Sequence, residues 1–334
     1  MRNLGALSVR TEKELLIATK QFAAESKLRS WLELFVTLGL LVATLLLAVS
    51  EHYWFVRLGS SLVAGLLIVR LFIFYHDFQH GAILSGSSVA RYLMDTYGLL
   101  VLSPPSVWNR SHDHHHKHNS KDLLSSMGSF PTMNTAQYRS ANAIDRTAYY
   151  WSRHPLTIAF GYLTIFMAGM CIRAIHQNCR LHKDAILALV LHIAIAATLG
   201  CWGIDKLLFG MTLPLMVACG VGSYLFYAQH NFPGCHLEAR EDWTHASAAL
   251  KSSSYLKMSG LMNWFTGNIG YHHIHHLNAK IPFYRLPEAM AALPELQKPA
   301  SITLGMRDIA ACFRSNVWDV DAKKLISFRQ AKPC

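Results

Sequence analysis

Five apolar runs, at residues 31–50, 54–75, 156–175, 185–202 and 207–227, are long enough to reach across a bilayer as helices. A span needs about 20 mostly apolar residues, and its backbone must be satisfied within helices or a closed barrel. No β-alternation of any length occurs, so the expected fold is all-α: an integral membrane helical bundle. Composition agrees, with 52% hydrophobic and only 15% charged residues, against about 25% charged in soluble domains. The net charge of +11 accompanies no basic helix, zinc-finger spacing or stacking motif, which argues against nucleic acid as a partner. It reads as the positive-inside bias of membrane proteins. Arg2, Arg10, Lys13, Lys20, Lys27 and Arg29 precede the first run, whereas 50–54 carries no Lys or Arg. The N-terminus is therefore expected in the cytoplasm. The seven cysteines form no CxxC pair, so neither a disulfide framework nor a cysteine zinc site is indicated. No signal-peptide core with a cleavage site precedes the first run.

Outside these runs lie three histidine clusters: His76-Asp77-Phe78-Gln79-His80, His112-Asp113-His114-His115-His116 and His272-His273-Ile274-His275-His276. Gln229-His230 adds a fourth contribution at the end of run 207–227. If the clusters act together, the number of crossings between them must be even. Run 156–175 is the weakest, with Gly161 and Gly169 inside it and Arg153, Arg173 and Arg180 at its two ends. Basic flanks on both sides predict an in-plane or re-entrant segment. Run 89–102 is short, stops at Ser103-Pro104-Pro105, and reads as interfacial or partly inserted. The expectation is about four transmembrane helices with every cluster in a cytosolic, histidine-rich cap. Residues 1–30 form a cytosolic segment, 31–290 the membrane domain and 291–334 a cytosolic tail. Arg70, near the inner end of its span, is expected to snorkel.

The spacing suits metal ligation. His76 and His80 are one helical turn apart, and the His-x-x-His-His sets His112/His115/His116 and His272/His275/His276 can each converge from one helix face. With His230 there are nine candidate ligands, enough for two metals with open positions. Structural zinc prefers a closed set of four ligands, often including cysteine, and calcium and magnesium want oxygen. A nitrogen-rich set points to a redox pair, and iron fits best. No Glu-x-x-His or His-Glu-x-x-His occurs, which argues against a carboxylate-bridged di-iron bundle or a zinc protease.

These boxes resemble those of the membrane fatty acid desaturase family, acyl-lipid branch. The likeness runs through His76-Asp77-x-x-His80-Gly81, Trp108-x-x-Ser111-His112-x-x-His115-His116, and Asn268-Ile269-Gly270-Tyr271-His272-x-x-His275-His276-Leu277, then Ile281-Pro282-x-Tyr284-x-Leu286. Gln229-His230 resembles the family's extra ligand after the last span. The resemblance covers roughly residues 30–290. It implies two non-haem iron ions, a fatty acyl lipid substrate, O2 and two electrons, with a double bond formed between adjacent methylenes. No His-Pro-Gly-Gly haem signature is present, so a separate donor, ferredoxin or cytochrome b-type, is expected to dock on the basic cytosolic face. A fatty acyl or carotenoid hydroxylase of the same superfamily would use the same ligands. A metal transporter would instead carry its ionisable residues within the spans.

Asp77, Asp113 and Asn268 are candidates to orient the ligand imidazoles from behind. His114, His118 and His273 are expected behind the ligands or in solvent. Trp108, Trp264 and Tyr271 flank the boxes and can either line an acyl channel or anchor at the interface. Isolated histidines, among them His182 and His236, read as structural, and His192 as a hydrogen bond inside the bundle.

Overall fold

The computed structural model describes residues 10–121 and 130–332. α1 (Glu12–Thr19), opened by a Thr11–Glu14 capping box, leads to α2 (Lys27–Ser50), where the Ser26 side chain accepts from the Arg29 N–H. α3 (Trp54–Gln79) returns against α2. At about 1.5 Å per residue both exceed a hydrocarbon core of about 30 Å. α2 turns Leu32, Phe35, Val36 and Leu47 outward, as suits a lipid-facing surface. α4 (Ser88–Leu100) covers most of the run expected to be partly inserted, and α5 (Pro105–His118) follows it. α6 (Thr135–Ser140) and α7 (Ala143–Ser152) lead to α8 (Pro155–Ala159), a π-helix (Tyr162–Ile172) and α9 (Arg173–Asn178). α10 (Lys183–Trp202), α11 (Ile204–Leu207), a short π-turn and α12 (Leu213–Ala228) complete the bundle. The cap adds α13 (His245–Lys251), α14 (Gly260–Phe265), α15 (His272–Leu277), α16 (Leu286–Ala292), α17 (Met306–Arg314) and α18 (Phe328–Ala331).

Among the described residues four helices are long and apolar enough to cross a membrane: Lys27–Ser50, Trp54–Gln79, Lys183–Trp202 and Ile204–Ala228. They contain the four expected spans. The remaining run, 156–175, breaks at Phe160–Gly161. Before the break, Arg153 holds Asn231, just past α12, at 2.6 Å; beyond it, α9 leads straight into α10. Between these ends Tyr162 reaches His192 in the middle of α10 (O···N 2.5 Å). Both ends thus lie at the histidine end of the bundle, and the segment is re-entrant.

Among the described residues, four three-residue strands accompany the helices. β1 (Tyr255–Lys257) pairs in parallel with β2 (Ser301–Thr303), with Leu256 opposite Ile302; β3 (Val317–Asp319) pairs antiparallel with β4 (Lys324–Ile326). Strands this short show no alternation in a sequence. The largest core runs from Leu34 through Phe74, Tyr75 and Phe166 to Ile302, Cys312 and Trp318, so the C-terminal segment packs into the same core as the bundle. Arg70 does not snorkel. It is buried, paired with Glu33 at 2.6 Å, bonded to Thr37 Oγ1 at 3.1 Å and to the Trp264 carbonyl, with its guanidinium 4.2 Å from the Trp264 ring centroid.

Candidate metal centre

Four elements deliver histidines to one end of the bundle. The last turn of α3 carries His76, and His80 caps it. α5 starts at Pro105, and the Asp184 carboxylate accepts from the Ser106 N–H (2.8 Å) and hydroxyl (2.6 Å) at the helix N-terminus. The Asp113–Lys117 pair (2.6 Å) marks the outer face of α5, so His112, His115 and His116 turn inward and are buried. α15 is little more than a turn, and all its residues are buried. His230 follows the end of α12.

The structure brings all nine candidate ligands together, in two groups. His76, His80, His112, His116 and His275 form one; His115, His230, His272 and His276 form the other. Within each group the ligand nitrogens lie within 4.8 Å of one another. Each His-x-x-His-His set is divided between the groups rather than converging on one point. Successive helix residues are about 100° apart, so the i/i+4 rings serve one group and the i+3 ring the other. The groups abut through His116 and His276, whose rings stack at 4.3 Å and 12°.

The donor set fits metal ions. His116 Nε2 lies 3.2 Å from His112 Nε2 and 3.0 Å from His275 Nε2. His230 Nε2 lies 3.0 Å from His115 Nε2 and 2.9 Å from His272 Nε2, and His272 Nε2 is 3.0 Å from His276 Nε2. A ring nitrogen has one N–H or one lone pair, so it cannot hydrogen-bond two such neighbours at once. Nitrogens about 2.1 Å from one ion, as in zinc–imidazole bonds, and at right angles lie about 3.0 Å apart. Burial, reinforced by neighbouring imidazoles, holds His80, His112, His115, His116, His272, His275 and His276 well below their ordinary pKa. Burial, opposed by a bond to the Ser252 carbonyl, takes His230 down to about 4. All are therefore neutral donors at physiological pH.

Among the described residues, two rings have a partner behind them. His76 Nδ1 donates to Asp77 Oδ1 (2.9 Å), whose Oδ2 accepts from the Phe283 N–H (2.7 Å); His230 Nδ1 donates to the Ser252 carbonyl (3.1 Å). Asp113 is not behind a ligand: it is exposed and paired with Lys117. Asn268 bonds the Phe283 carbonyl (3.2 Å) rather than a ring. His273 is buried, donates Nε2 to the Leu296 carbonyl (3.1 Å), and faces away from both groups; His118 is exposed and its ring stacks on His114 at 4.2 Å. Sequence reasoning took Arg153 only as a basic flank and missed its bracing role: its buried guanidinium also bonds the Pro131 carbonyl (2.5 Å) and Thr132 (2.9 Å). Its partners are remote in sequence, and no local pattern announces them.

A cavity of about 770 Å³ opens beside the groups, and His76, His112 and His272 line it. Below them its wall is apolar, with Val69, Phe72, Phe166 and Leu225; toward the surface it is polar, with Arg110, Arg173 and Gln177. Trp108 lines it, stacked on His112 at 4.5 Å, whereas Trp264 and Tyr271 do not.

The sequence profile of the fatty acid desaturase family matches residues 52–307, most of the chain and all three boxes. The chain belongs to the fatty acid desaturase family. A Bacillus subtilis (strain 168) protein named "Fatty acid desaturase" is 30% identical over 283 residues, 84% of this chain and 79% of that protein. The "sn-1 oleoyl-lipid 12-desaturase" of Synechocystis sp. (strain ATCC 27184 / PCC 6803 / Kazusa) is 23% identical over 277 residues, 80% of this chain and 76% of its own. Its namesake in Anabaena variabilis is 22% identical over 250 residues, 72% and 70% of the two chains. This fatty acid desaturase is thus a membrane oxidoreductase of lipid metabolism, and the apolar cavity beside its histidines suits an acyl substrate.

Proposed function

We propose that this desaturase holds one iron in each histidine group and uses O2 and two electrons to form a double bond in a lipid-linked acyl chain. The observation that carries the reading is the convergence of five and four imidazoles, seven of them buried and His80 and His230 half-buried, with no carboxylate among them, on the wall of an apolar cavity. An unactivated C–H bond offers no acid–base handle; an iron pair held by these histidines would activate O2, the oxidant, for hydrogen removal that side chains cannot perform. The chain's own residues do the rest. The nine histidines hold the ions, with Asp77 and the Ser252 carbonyl fixing ring orientation. Trp108, Phe72 and Leu225 exclude water and lay the acyl chain along the centre. Arg110 and Arg173 at the polar end suit a headgroup. In this reading 31–290 is the catalytic unit, with 1–30 and 291–334 as cytosolic flanks. The boxes face the cytoplasm, where a separate ferredoxin or cytochrome b-type donor delivers electrons; the basic N-terminal flank supports that orientation.

The test is expression in a host lacking the activity, with metal analysis of the purified protein and a fatty acid profile of the lipids. Wild type is expected to carry iron in both groups and to yield a new unsaturated chain. His275→Ala and His272→Ala, one from each group, are expected to abolish the double bond. Unchanged unsaturation in both variants would refute the reading.

A further inference from the structure

We propose that Gly222 sets the depth of the acyl cavity and thereby the longest chain the enzyme accepts; this rests on the cavity being the acyl channel. On α12, Ala218, Gly222, Leu225, Phe226 and Gln229 line the cavity at helical spacing, so position 222 faces inward. Gln229 lies at the histidine layer. Gly222 is seven residues, about 10 Å, below it, and Ala218 about 6 Å further at the floor. α12 has a second glycine close by, and the two differ. A Cβ on Gly220 would meet the Ala159 carbonyl oxygen at 2.9 Å, so helix packing accounts for it. A Cβ on Gly222 would meet nothing within 4 Å. Packing does not require this glycine, which as a residue weakens a helix interior. What its missing side chain does is leave the passage to the floor open. Gly169 of the π-helix lines the same cavity.

The experiment uses the full chain in membranes supplied with saturated acyl chains of increasing length. It compares wild type with Gly222→Ala, Gly222→Val and Gly222→Phe, and with Gly39→Leu as a control on the exposed face of α2, where a Cβ also meets open space. Two quantities are read: the ratio of long-chain to short-chain product, and the length distribution of acyl lipid retained through purification. The expected result is a stepwise fall in the long-to-short ratio with side-chain size, reaching about tenfold or more in Gly222→Phe, in line with the discrimination apolar pockets reach per methylene. Retained lipid shifts to shorter chains in parallel, and Gly39→Leu matches wild type. Ratios and retained lipids unchanged across the series overturn the proposal, as does a uniform loss at all lengths in Gly222→Ala and Gly222→Val. Should wild type form no double bond, the reaction assigned above fails, while retained lipid still decides the role of Gly222.

Discussion

Asp77 divides its carboxylate between two donors, His76 Nδ1 and the Phe283 N–H, while Asn268 holds the Phe283 carbonyl. One backbone unit after the third box is thereby gripped from the first box and from its own loop. Asparagine at 77 keeps one acceptor and turns an NH2 group toward one of the two donors, so one of the bonds is lost. Asp77→Asn is therefore expected to weaken iron retention about 10- to 100-fold, the usual effect of removing a group that orients a metal-bound histidine. A chelator challenge on purified protein, with thermal unfolding as a check on folding, measures this; unchanged retention would show that the carboxylate does not orient the ring. The clustering of the nine candidate histidines was legible because their spacing is local and imidazole chemistry is specific. Asp113 sits in the second box as Asp77 does in the first, yet its place on the α5 helix turns it to solvent beside Lys117. Two aspartates with the same local signature thus have different roles, and only the packing of their helices separates them.

The re-entrant segment shows how an element can be read correctly from partly mistaken grounds. Basic flanks suggested that both ends share one side, and they do. Yet Arg153, one of those flanks, is a buried brace joining residues 131 and 132 to Asn231 rather than a solvated charge. The π-helix was not legible, since its widened turn leaves no compositional mark. Its entry depends on Gly161, where a Cβ would run into Ser223 Oγ and lie 2.8 Å from the Cys219 carbonyl oxygen. Gly161→Ala must separate this segment from α12, which forms the facing wall of the cavity. The expected cost is about 1–3 kcal/mol, typical of overpacking, seen as a lower thermal midpoint in detergent. Adding Ser223→Gly removes one of the clashing groups and is expected to recover part of the loss. No recovery would mean that the Cys219 carbonyl alone sets the limit.

Parity governs the whole molecule: four crossings return α3 and α12 to the end from which α2 and α10 start, so distant histidines can meet. Run lengths and charge made that visible in the sequence. The part played by residues 294–332 was not visible, because it rests on long-range pairing of very short strands. The Tyr255 N–H donates to the Ala300 carbonyl (2.9 Å), β1 pairs with β2, and the Leu256 N–H donates to the Gly270 carbonyl (2.9 Å), two residues before His272. The Leu296 carbonyl accepts from His273, and Trp318 donates its N–H to the Met133 carbonyl (2.9 Å). The C-terminal segment therefore backs the third box from behind. A chain ended after Leu293 keeps every spanning helix and is expected to insert in the membrane as before. It loses β2 and the acceptor for His273, leaving buried polar groups unpaired at about 1–3 kcal/mol each. Since α15 supplies His275 to one group and His272 and His276 to the other, both groups should lose iron together. Membrane fractionation with iron quantitation per inserted chain separates the two effects. Normal insertion with iron lost from both groups is the expected result, whereas full iron content in the shortened chain would show that α15 holds its histidines without this support.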